Sequence, residues 1–216
     1  MPMNRRRFNA FLLAAASAAA LPIAAKELVE GRDWRPVPTP QPSDTPGQIE
    51  ILEFFSYGCP HCGRFNEVVL PWAESLPPDV VLRRIPVTFG RKAWENLARL
   101  YFSLEYTDNL ERLDQAAFDA LHEQRKQLFT EEAIFDWIEE QGVDRESFAT
   151  VFKSFGVETR LMRSKQLTRD YEINSVPTMT VAGRYIVVGE GASTYDDLLA
   201  ITEGLLDKAR RDGGLA

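Results

Sequence analysis

The sequence predicts an α/β protein whose sheet is interrupted by a block of helices. Three observations carry this. Apolar, β-prone runs occupy residues 49–56 and 80–89. Between residues 91 and 172, apolar residues recur every three to four positions, the period of helices with one buried face. Two further β-rich runs then flank Ala182-Gly183 within residues 178–189, the pattern of a hairpin. At 216 residues, 44% hydrophobic and 26% charged, the chain is long enough for one sizeable core and has an ordinary globular composition.

The first 25 residues read as an export signal. Arg5, Arg6 and Arg7 precede an alanine-rich apolar run too short for a stable membrane span. Arg5, Arg6 and Phe8 fit a twin-arginine core, and the general secretory route accepts the same basic start. Cleavage is expected near Ala25, with Ala20 and Ala24 as alternatives. The competing reading is an uncleaved membrane anchor. Loss of residues 1–25 removes three arginines and no acid, so the formal net charge goes from −7 to −10. So acidic a chain is a poor nucleic-acid binder.

The mature chain begins with a short strand expected around Trp34–Val37, then a proline-rich surface linker counted over Pro36, Pro38, Pro40, Pro42 and Pro46. A strand follows at 49–56. Phe65, Val68, Val69 and Trp72 mark a helix after it, and Pro71 is expected to kink or interrupt that helix, since it lacks an N–H. A strand is expected at 80–89. In the helical block Asn109, Thr130 and Asp144 stand where N-caps belong, and Gly142 at a C′ position. Ser193 or Thr194 caps a last helix reaching about Arg211, with Asp196 and Asp197 as capping-box acids. The expected organisation is a signal at 1–25, a split α/β domain at 26–89 and 173–211, and an inserted helical domain at 90–172.

The chain has two cysteines, Cys59 and Cys62, in "FFSYGCPHCGRF". A c-type haem anchor requires histidine after the second cysteine, where Gly63 stands. A structural zinc site needs four ligands, and Cys59, Cys62 and His61 make three. A purely structural disulfide closing so short a loop removes little chain entropy. A redox pair fits better. With Cys59 as N-cap, Pro60 falls at N1, where proline is favoured, and His61 and Cys62 at N2 and N3. Free amides and the helix dipole then favour a thiolate on Cys59, and a protonated His61 would add to this. Cys59 is thus the expected nucleophile and Cys62 the resolving residue. A stabilised thiolate stabilises the reduced form and makes the disulfide oxidising. The other histidine, His122, is expected to sit on a distant amphipathic helix without chemistry.

"EFFSYGCPHC" resembles the active-site segment of the DsbA family of periplasmic thiol:disulfide oxidoreductases, and the order of elements resembles that family over residues 27–210. The resemblance implies a thioredoxin fold with an inserted helical domain. It implies a cis Val176-Pro177 bond facing the cysteines, with the Val176 backbone free to pair with a client strand. Glu53 is an odd carboxylate within the apolar run "IEILEFF", for which a wet strand face is the alternative; the resemblance implies that it is buried and passes protons to or from Cys62, with Arg84 as its basic partner. The resemblance implies no bound cofactor, newly exported cysteine-containing clients, and reoxidation by an inner-membrane, quinone-linked DsbB-like partner. Gly58 departs from family members that carry a bulky aromatic there. A monomer is expected. The alternatives are a disulfide isomerase or reductase, or a redox-silent peptide-binding module on the same scaffold.

Overall fold

A computed structural model describes residues 27–213; the expected signal at 1–25 lies outside them. The strands are β1 (Trp34–Pro36), β2 (Ile49–Phe55), β3 (Val80–Pro86), β4 (Thr178–Val181) and β5 (Tyr185–Val187). They form one mixed sheet in the order β1-β5-β4-β2-β3. β2 sits inside it, parallel to β3 and antiparallel to β4. Every residue of β2 is buried, which explains its near-continuous apolar run.

Helix α1 (Pro60–Glu74) follows β2 directly. It is not interrupted at Pro71. That proline lies in the last turn, and the carbonyl it deprives of a partner belongs to exposed Glu67. β3 ends at Pro86 rather than at residue 89. Phe89 (φ 44°) and Gly90 (φ 70°) turn the chain out of the sheet and into the helices. β1 likewise ends one residue early, at Pro36, although the Val37 amide still bonds the Arg184 carbonyl.

Five helices separate β3 from β4: α2 (Lys92–Tyr106), α3 (Leu110–His122), α4 (Glu131–Glu140), α5 (Arg145–Phe152) and α6 (Phe155–Asp170). Thr130 and Asp144 cap as expected, accepting from the Ala133 and Ser147 amides. Asn109 holds the N-cap position of α3 without capping; its side-chain amide bonds Thr107 instead. Gly142 has φ 75°, as a C′ residue does. Ala182 and Gly183, both at positive φ, turn the β4–β5 hairpin. Thr194 and Asp197 close a capping box on α7 (Tyr195–Arg211).

Two apolar clusters cover the sheet. Ile49, Ile51 and Val181 pack with α1 and α7 on one face, and Leu52, Phe54 and Ile85 pack with Leu167 and Tyr171 on the other. A third fills the helical block. It also contains Phe55, Tyr57, Cys59 and Cys62, so the cysteine motif is built into the core shared by sheet and inserted helices.

Candidate active site

The end of β2 and the start of α1 place the cysteines. Cys59 is the N-cap in extended conformation (φ −107°, ψ 114°), and Pro60 opens the helix. Both cysteines are free thiols here. Cys59 is 8% exposed and Cys62 is fully buried, so an incoming sulfur meets Cys59 first.

Cys59 is held at about 6, against an ordinary 9.0. The leading cause is a hydrogen bond from the Cys62 thiol; burial opposes it, and the amides of Cys62 and His61 add to it. This reorders the expectation from sequence, which gave the amides and the dipole the first place. The N-cap sulfur closes no cap hydrogen bond; its own hydrogen bond is the thiol donating to the Val176 carbonyl at 3.5 Å. His61 contributes least through charge. Its Nδ1 lies 3.0 Å from Arg64 Nη2. Cys62 is pushed far up, first by burial, then by its bond to Cys59 and the Cys59 charge, with Glu53 contributing as well. One sulfur is thus suited to be a thiolate and its neighbour to keep its proton.

The Val176–Pro177 bond is cis, as expected. Together with His61 these residues line a groove of about 350 Å³ whose other walls include Phe65, Met179 and Tyr195. The Tyr195 hydroxyl donates to the His61 carbonyl at 3.2 Å and ties α7 to the motif.

Behind the cysteines lies a buried polar network. Glu53 has no exposed surface, and Arg84 Nε donates to its Oε2 at 2.6 Å. Burial raises the Glu53 carboxyl; Arg84 opposes this and the charge of Asp114 adds to it. Arg84 Nη1 donates to Asp114 Oδ2 at 2.6 Å, and the Tyr57 hydroxyl donates to Asp114 Oδ1 at 2.6 Å. The guanidinium also lies 4.2 Å above the Phe55 ring. Glu53 Oε1 and Arg84 Nη2 are buried without a hydrogen-bond partner.

Three contributors escaped sequence reasoning. Asp114, Phe118 and His122 follow one another at four-residue spacing on a single face of α3, and all three grip Tyr57. Phe118 meets its ring edge-on at 4.8 Å. His122 corrects an expectation: far from being distant, its Nε2–H donates to the Tyr57 carbonyl at 2.7 Å, two residues before Cys59. The i, i+4, i+8 spacing of Asp, Phe and His was the available signal, though such residues on a helix ordinarily read as its wet face.

Trp94 explains Gly58. A Cβ there would stand 2.7 Å from Trp94 Nε1 and 2.9 Å from its Cε2, so the inserted helices supply the bulk next to Cys59. Gly58→Ala is expected to cost roughly 1–3 kcal/mol as the indole is displaced. Urea unfolding checks this, and an unchanged midpoint would contradict the close fit.

Comparison with known proteins follows the same lines. The model of the family described as a DSBA-like thioredoxin domain matches residues 50–201. The chain belongs to the DsbA family. Over 211 residues it is 37% identical to the thiol:disulfide interchange protein DsbA of Bordetella parapertussis, covering 97% of this chain and all of that one. It is 33% identical to the DsbA of Pseudomonas aeruginosa over 92% of this chain and 94% of the other. The crystal structure of Pseudomonas aeruginosa DsbA superposes with a TM-score of 0.82 at 33% identity, covering 86% of this chain and 96% of that one. The fold is therefore the thioredoxin fold with a helical insertion, and the chain is a thiol:disulfide oxidoreductase.

Proposed function

We propose that Cys59 and Cys62 are the redox pair of this DsbA-family oxidoreductase and that it donates their disulfide to newly exported proteins in the periplasm. The observation that carries the direction is the asymmetry of the sulfurs: Cys59 is held at about 6 while Cys62 is pushed far up. A client thiolate attacks Cys59 Sγ, the Cys59–Cys62 bond breaks, and its electron pair leaves on the Cys62 sulfur. Cys62 takes a proton, for which buried Glu53 is the carrier. A second client thiolate then attacks the client sulfur of the mixed disulfide, and Cys59 departs as a stabilised thiolate. The client loses two electrons and the Cys59–Cys62 pair gains them.

Val176, beside the cis bond to Pro177, offers backbone to an extended client segment in the groove, and Pro60 and His61 set the helix start beneath Cys59. Arg84 holds Glu53 in place. Reoxidation falls to an inner-membrane, quinone-linked DsbB-like partner, and the protein works as a monomer without a bound cofactor. The export reading of residues 1–25 and the family membership support the periplasmic site.

The test is a cell-based one. The full-length chain is expressed in a Gram-negative strain lacking its own dithiol oxidase, with an exported reporter that holds one disulfide. Alkylation of the reporter should show it oxidised with the chain present and reduced without it. A reporter that stays reduced alongside expressed, exported protein would contradict the reading.

A further inference from the structure

We propose that Asp114, on inserted helix α3, is a positioning residue for the thiol chemistry: it shares Arg84 with Glu53, and because one cation compensates only one buried carboxylate, it favours a proton on Glu53 for exchange with Cys62. The proposal rests on the reading of Glu53 as proton carrier and deepens it.

The geometry is a contest of two carboxylates for one cation. Arg84 donates through Nε to Glu53 and through Nη1 to Asp114, each at 2.6 Å. All the members are buried: Glu53 and Asp114 are at most 3% exposed, Tyr57 1%, and the Arg84 side chain 6%. Two carboxylates against one guanidinium leave an excess negative charge if both ionise, and burial disfavours an uncompensated charge. One carboxylate is therefore the better place for a proton. Asp114 has both oxygens engaged by donors, Oδ1 by Tyr57 and Oδ2 by Arg84. Glu53 has one oxygen on Arg84, while Oε1 has no partner. Glu53 is therefore the better place for the proton, and it stands on β2, the strand that leads into the cysteine motif.

Every charged or titratable group facing Glu53 fits this account. β3 contributes Arg84, α3 Asp114, the motif Tyr57, α1 Cys62, and α2 Tyr101, whose ring lies 5.8 Å from the guanidinium carbon; β4 sets the non-titrating Met179 opposite Glu53. Glu105 acts at one remove, through Tyr101. Among these, Asp114 alone both bonds Arg84 and pushes the Glu53 carboxyl up. Without its charge, Arg84 is left to compensate Glu53 alone, and a carboxylate whose charge is fully compensated holds its proton less readily. Glu53 would then stay ionised to lower pH and serve as a weaker base.

The experiment follows the expulsion of glutathione by Cys62 from a preformed Cys59–glutathione mixed disulfide, across pH, beside the thiolate absorbance of Cys59 in the reduced protein. In Asp114→Asn the acidic limb of the rate profile should move down by about one pH unit and the plateau should fall, while the Cys59 titration stays in place. Tyr57→Phe, which removes the donor on Asp114 Oδ1 and keeps the ring, should shift the limb in the same direction by less. It carries the test if Asp114→Asn fails to fold. Glu53→Gln should abolish the limb. If it does while neither other variant moves the limb, the role of Asp114 is refuted and Glu53 stands as the carrier. A limb unchanged in Glu53→Gln removes the Glu53 reading and the proposal with it. A limb that moves only together with the Cys59 titration marks a distorted loop and also overturns the proposal.

Discussion

Cys59→Ser is expected to bring disulfide transfer down to the uncatalysed background, and Cys62→Ser to stop the reaction one step later. Cys62 has no exposed surface and Cys59 is 8% exposed, so removing Cys59 removes the sulfur a client can reach. Cys62→Ser keeps that sulfur and takes away the group that resolves the mixed disulfide, so a Cys59–client adduct should accumulate on non-reducing gels. Equal turnover in Cys59→Ser and the parent, or an adduct on Cys62, would contradict the assignment. The same asymmetry has a thermodynamic consequence. In the reduced protein Cys59 is depressed from 9.0 to about 6. A depressed acid contributes stability that is full above its unfolded value and lost as pH falls through the folded one. Reduced parent protein should therefore lose stability relative to reduced Cys59→Ser as pH drops from about 9 to about 6. A stability difference constant over that window would count against the thiolate.

The largest loss of stability is expected from Arg84→Met. The methionine fills the space of the stem but leaves Glu53 and Asp114 buried without their shared cation, and Phe55 without the guanidinium above its ring. Breaking a buried ion pair by removing one partner costs about 3–5 kcal/mol, a large part of the ~5–15 kcal/mol that holds a domain together. The pH dependence distinguishes this from simple packing loss. The Glu53 carboxyl, already raised by burial, rises further once the cation is gone. A raised carboxyl contributes stability below its unfolded value and loses it as pH climbs through the folded one. The deficit should therefore shrink on acidification, and adding Glu53→Gln should recover part of it. Urea unfolding at two pH values measures both effects. A loss under about 1 kcal/mol, equal at both, would mean that the network is not a buried ion-paired unit.

Much of this was legible in the chain because it depends on local chemistry. The cysteine spacing, Pro60 at a helix start and the apolar run ahead of it define the strand–cysteine–helix junction from twelve residues. Thr130, Asp144 and Thr194 cap helices through bonds to neighbours three residues on, so their roles travel with the sequence. Pro71 does not interrupt its helix because that effect depends on how far the helix continues, and α1 continues only three residues. The 80–89 strand was overdrawn because Phe89 adopts a positive φ that its residue type does not announce. The polar network behind the site was half visible. Glu53 stood out as a carboxylate in an apolar strand, and Arg84 came only by resemblance. Asp114 and His122 sit 57 and 65 residues from Tyr57, their partner, and nothing local marks them as buried rather than solvated. The inserted helices, which contribute Trp94, Asp114, Phe118 and His122, are as much a part of the site as the motif itself.

The most direct test of the central claim, that a stabilised Cys59 thiolate makes this protein a disulfide donor, is the reduction potential of the Cys59–Cys62 pair. It is read by equilibration with glutathione at several pH values. With Cys59 at about 6, the thiolate lies one unit below pH 7, worth about 1.4 kcal/mol or roughly 30 mV in favour of the reduced form. The account predicts a potential well above the roughly −270 mV of thioredoxin and a change of slope near pH 6, where Cys59 titrates. A potential at or below that of thioredoxin, with no break near pH 6, would contradict the claim and point to a reductant or isomerase on the same fold.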